Sequence, residues 1–184
     1  MKKTISLVGL LSTILIIFSG CNGKWEKADP NMPEEFIQQQ ESILNENLEI
    51  LEKDPSNVDA QFEVALRYQQ LGQYKNAEKA YKEVLKIDKN HYVVRNNLAD
   101  IYEQVEEYDL AVEQILKVYE LKPEMTESIR DVVRILLKAD QPELAQATLE
   151  DFAVKQGGTG DQNALTVISQ LFQSIYSYNQ QHEN

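Results

Sequence analysis

The sequence predicts an all-α fold, a helical solenoid flanked by an N-terminal helix and a C-terminal capping helix. Three observations carry this. From Glu34 onward, apolar residues recur at helical spacing almost without interruption. Across residues 58–156, several columns repeat at a period of 34 residues, the mark of stacked supersecondary units. Composition agrees: 42% hydrophobic residues and 7 glycines in 184 positions is ordinary for a folded chain and argues against disorder throughout.

The first element is residues 1–20. Lys2 and Lys3 precede an uncharged, mostly apolar run over residues 5–18. A membrane-spanning helix needs about 20 such residues, whereas this shorter run fits the apolar core of a secretory signal peptide. It ends in Phe18-Ser19-Gly20-Cys21, with small residues where a signal peptidase cleaves. Ser19-Gly20-Cys21 resembles the end of a bacterial lipobox, with Phe18 standing where that motif usually has Leu, Val or Ile. The resemblance implies that Cys21 carries a covalent diacylglycerol and becomes the first mature residue. The protein would then be lipid-anchored in a bacterial cell envelope, outside the cytoplasm, on the cell membrane or the outer membrane. Asn22 stands where an aspartate would resemble an inner-membrane retention signal. No other cofactor is expected.

Residues 21–33 begin with the anchor cysteine, have no apolar period and contain Asp29-Pro30 and Met32-Pro33. They read as a flexible tether with a reach of roughly 20 Å. Trp25, near the lipid, is either a membrane-interface residue or a linker residue without a role. Residues 34–57 hold the N-terminal helix or half-repeat. Glu34 and Glu35 follow Pro33 at its start, Phe36, Ile37, Ile43, Leu44, Leu48 and Leu51 recur at helical spacing, and the helix stops near Lys53.

The repeats come next. Tyr68, Tyr102 and Leu136 are 34 apart, as are Ala77, Ala111 and Ala145, and Ala65, Ala99 and Val133. Tyr81, Ile115 and Leu149 keep the step, as do Val84, Val118 and Phe152. This pattern resembles the tetratricopeptide repeat (TPR). It implies a right-handed TPR-type solenoid of about three repeats, at 58–91, 92–125 and a degenerate 126–156. Small alanines let the two helices of a repeat approach, and the tyrosines fill the space between repeats. Gly72 serves the turn between helices, where positive φ is cheap. Glu106 and Asp140 fill that slot in the later repeats, so looser turns are expected there. Pro142 suits the first turn of a helix. Residues 157–184 hold a Gly-rich turn, a capping helix begun by Asp161, and a polar tail. That helix should bury Leu165, Ile168, Leu171, Phe172 and Ile175 and turn Ser169, Gln170, Gln173 and Ser177 outward.

Function is read by exclusion and resemblance. A net charge of −12 argues against nucleic acid. Two histidines and one cysteine leave no zinc cluster, and no metal site is expected. Cys21 is taken up by lipid, neither histidine has a Ser–His–Asp context, and the paired acids read as solvated faces, so no enzyme is expected. The resemblance implies a protein–protein interaction module, a membrane-anchored scaffold that assists assembly of an envelope complex. It implies a concave groove lined by Phe62, Leu66 and Gln69, then Asn96, Asp100 and Glu103, then Arg130, Arg134 and Leu137. That groove would grade from apolar to acidic to basic and take a protein or peptide partner. Chaperone-binding repeats grip a carboxylate with five basic or amide residues. The corresponding positions here are Phe62, Leu66, Asn97, Glu127 and Asp131, of which only Asn97 matches. The alternative is a structural lipoprotein that self-associates as a homo-oligomer through its groove or end helix.

Overall fold

The structure, a computed structural model, describes residues 23–157 and 161–182. Residues 1–20, the proposed lipid site Cys21, and residues 158–160 of the Gly-rich turn lie outside the described residues. Eight helices are present among the described residues: α1 (Glu34–Lys53), α2 (Val58–Gln70), α3 (Tyr74–Ile87), α4 (Tyr92–Gln104), α5 (Tyr108–Leu121), α6 (Thr126–Lys138), α7 (Pro142–Gly157) and α8 (Gln162–His182). Each packs on its neighbours in the chain, and α8 closes on both α6 and α7. One continuous apolar core runs from Leu44 to Ile175. Such a core is what a solenoid must build, because no single repeat can bury its own apolar face.

The repeating columns are the core. Ala77, Ala111, Ala145, Ala65 and Ala99 are fully buried, as are Tyr81, Leu149, Val84 and Phe152. A larger side chain in the alanine columns would overpack the close approach of paired helices. Tyr102 is buried between repeats, and its hydroxyl donates to the buried Glu78 of α3 at 3.0 Å. Lys75 and Lys82 also donate to Glu78, both at 2.7 Å. Burial pushes the Glu78 carboxyl up, but these three donors outweigh it and hold the group below the usual range.

The structure corrects four expectations. First, the later turns are not looser. Gly72, Glu106 and Asp140 have φ of 70°, 60° and 56°. Each turn is closed by the same backbone bond, Gln73 to Tyr68 at 2.9 Å, Glu107 to Tyr102 at 2.8 Å and Gln141 to Leu136 at 2.9 Å. These bonds satisfy helix-end carbonyls, which outweighs the modest left-handed penalty of a non-glycine residue.

Second, residues 23–33 do not hang as a tether but form a docked strap. Lys27 N–H donates to Gly72 O at 2.9 Å and Tyr74 N–H donates to Trp25 O at 3.0 Å. The Trp25 ring meets Tyr102 edge-on at 6.1 Å, and Lys75 Nζ lies 4.3 Å from its centroid. Lys24 pairs with Glu107, and Lys27 Nζ reaches Gln104 O at 2.7 Å. Trp25 thus has a packing role that composition alone conceals.

Third, the polar tail continues α8 as far as the described residues go. The helix runs to His182, whose ring stacks on Tyr178 at 4.0 Å. Fourth, two residues expected in the α8 core lie outward, Leu165 at 41% and Phe172 at 36% exposure, while Ala164, Val167, Ile168, Leu171 and Ile175 are buried. On α1, Leu48 is likewise exposed, and Gln40 is buried instead, accepting from Arg67 at 2.6 Å.

Candidate partner-binding face

The first helices of the repeats, α2, α4 and α6, carry the nine residues expected to line a groove. On α2, Phe62 is half-buried against the core, 6.0 Å from the Tyr81 ring and stacked at 5.5 Å on His91. His91 is held in turn by accepting from Val94 N–H at the start of α4. Gln69 accepts from the Tyr81 hydroxyl at 2.7 Å, and Asn97 donates to the same oxygen at 2.8 Å. Burial drives the Tyr81 phenol far up, so it stays protonated and donates. Phe62 and Gln69 therefore serve packing as much as surface. Leu66 is half-buried.

Next to them, α4 and α6 are tied together. Glu103 accepts from Arg134 and, at 2.6 Å, from Lys138. Arg134 also donates to Asp131 at 2.7 Å. Burial pushes the Glu103 carboxyl up, but the hydrogen bonds from Arg134 and Lys138 outweigh it and hold the group below the usual carboxylate range. Within the expected grade from acidic to basic, Glu103 of α4 and Arg134 of α6 therefore neutralise each other.

Asp100 is the exception. It is half-buried, and among the described residues no hydrogen bond reaches its carboxylate. Burial, then the negative charge of Asp131, push its pKa up to about 6; Arg134 opposes this and Glu103 adds to it. Arg130 is exposed, and among the described residues it makes a long contact to Gln170 at 3.5 Å. Leu137 is half-buried on the core. Asn96 lines a cleft of about 140 Å³ with Tyr92, Glu127 and Asp131.

Sequence reasoning missed Lys138, and it named Glu127 and Asp131 only as clamp positions that do not match. The signal for Lys138 was its spacing, one turn beyond Arg134 on the same helix. Among the described residues, no three His, Cys, Asp or Glu side chains are placed to hold a metal ion. Nor is any described helix long and apolar enough to cross a membrane.

Known proteins share this architecture. Family models of the tetratricopeptide repeat match residues 58–91 and 92–125. No curated protein matches the chain. Among solved structures, a Podosopora anserina putative kinesin light chain with nearly identical TPR-like repeats aligns at a TM-score of 0.63 and 21% identity, over 81% of this chain and 80% of that one. MamA aligns at 0.59 and 13% identity, over 79% and 82%. PilF of Pseudomonas aeruginosa aligns at 0.53 and 20% identity, over 79% and 72%. At these identities the common property is the fold. The chain thus carries two tetratricopeptide repeats, at 58–91 and 92–125, inside an eight-helix stack of that fold, and these repeats support a protein–protein interaction module.

Proposed function

We propose that the chain is held by lipid on Cys21 at the outer side of a bacterial membrane. There it binds a protein partner through the α2–α4–α6 face, as a scaffold in an envelope complex and without catalysis. The lipobox-like Ser19-Gly20-Cys21 supports the anchor. The observation that carries the binding site is Asp100, a half-buried carboxylate without a hydrogen bond on a face whose other charges are largely paired. A partner that brings a Lys or Arg side chain to Asp100 would relieve an electrostatic penalty already present in the free protein. An acidic side chain on the same partner would meet Arg130.

The test compares the full chain with its Asp100→Lys/Arg130→Glu variant as bait in envelope extract. Both positions lie off the core, so the variant keeps its helical circular dichroism. A protein held by the wild type and lost by the variant supports this face. Equal retention removes it. Incorporation of a labelled fatty acid into the wild type but not into Cys21→Ser tests the anchor separately.

A further inference from the structure

Helix α8 differs from every other helix. Helices α1 to α7 each carry acidic residues, whereas residues 162–182 contain no Asp, Glu, Lys or Arg. Three large apolar side chains on α8 face outward: Leu165 at 41%, Phe172 at 36% and Tyr176 at 60% exposure. With Ser169 they form a stripe spaced four, three and four residues apart, the spacing of a helix-pairing seam. An open trough of about 600 Å³ runs along this stripe and includes Ile168 and Gln173.

We propose that two copies of this chain pair through α8, antiparallel about a two-fold axis. The stripe is self-complementary in that arrangement. With the axis midway along it, Leu165 faces the partner's Tyr176, and the large Phe172 enters the gap above the partner's Ser169. Both contacts occur twice, as an isologous interface requires. Charge selects a second copy. Two chains of net charge −12 repel one another, and an uncharged helix is where they approach without like charges opposed. A contact made by one helix from each copy lies at the small end of specific interfaces, so the dimer should depend on concentration. The pairing goes beyond the partner-binding reading and leaves the α2 and α4 residues of that face free, so one dimer would present two such faces.

Sedimentation velocity of the full chain in mild non-ionic detergent, across a wide concentration range, tests this. The wild type should show a reversible monomer–dimer equilibrium. Phe172→Asp removes two buried rings per dimer and should raise the dissociation constant roughly a hundredfold or more. Tyr176→Glu, at a more exposed position with no effect on folding, should also dissociate the dimer, as should Leu165→Lys. Combining Leu165→Lys with Tyr176→Glu should restore it, because each lysine then faces the partner's glutamate. A wild type that stays monomeric at the highest concentration, or a dimer that survives Phe172→Asp, overturns the proposal. Failure of the double variant to recover overturns the antiparallel pairing.

Discussion

The same repeats show two different surfaces. On the turn side, the strap of residues 23–33 covers the α2–α3 turn and reaches the α4–α5 turn. There Gly72 O, Gln104 O, Glu107 and the Trp25 ring all have partners. On the α2–α4–α6 side, among the described residues, Asp100 has no hydrogen bond and Arg130 only a long one. The contrast separates what holds the molecule together from what is left for another molecule. Changes on the strap side should destabilise, and neutralising the half-buried Asp100 on the open side should stabilise, because partial burial disfavours its charge.

The largest effect is expected at Gly72. A Cβ there would lie 2.5 Å from Ala28 N and 2.6 Å from Lys27 O, both backbone atoms. Gly72→Val must lift the strap and also hold a branched residue at positive φ, costing about 3 kcal/mol in all. Urea unfolding reads the loss. Emission from Trp25, the only tryptophan, should shift to the red, and an unmoved spectrum would mean that the strap is held elsewhere. Trp25→Ala comes next, at about 2 kcal/mol for a half-buried ring with one aromatic and one cationic neighbour. A midpoint equal to the wild type's would show that the strap adds nothing to stability.

Asp100 should respond in the opposite sense. Its pKa in the fold is raised to about 6, so the native state holds this proton more tightly than the unfolded chain does. The stability this supplies is complete below about pH 4, where both states are protonated, and is lost as pH rises through about 6. Asp100→Asn keeps a neutral side chain at every pH. Its Tm should exceed the wild type's at about pH 7, and the difference should shrink towards about pH 4. A constant difference would mean that Asp100 does not titrate in this window.

The smallest effect sharpens the comparison. Glu106 has φ of 60°, close to the 70° of Gly72, yet the strap reaches its turn only through the Lys24 and Lys27 side chains and not, as at Gly72, through its backbone. In Glu106→Gly, relief of the left-handed conformation is offset by the added freedom of the unfolded chain. Stability should stay within about 0.5 kcal/mol of the wild type. A large change in either direction would show that the two turns differ in more than the strap.

Part of this protein was legible in its residues. The 34-residue step of Ala77, Ala111 and Ala145, with Tyr81, Ile115 and Leu149, located the paired helices, because burial in a solenoid recurs at the period of its repeat. The stop near Lys53, the proline opening α7 and the aspartate before α8 were legible too, as local backbone chemistry. The nine residues expected in a groove were legible as positions on the first helices of the repeats but not in their contacts. Whether Arg134 is free or spent on Glu103, 31 residues away, depends on how α4 and α6 sit side by side, and nothing local to either residue decides that. The strap was hidden for the same reason. A short segment with two prolines and no period looks unstructured, and its order comes from Gly72 and Tyr102, far along the chain. The α8 stripe lies between. Its residues are visible in the sequence, but a helical pattern shows only that an apolar face exists. Which part of that face α6 and α7 cover, leaving Phe172 and Tyr176 outward, was decided by packing in three dimensions.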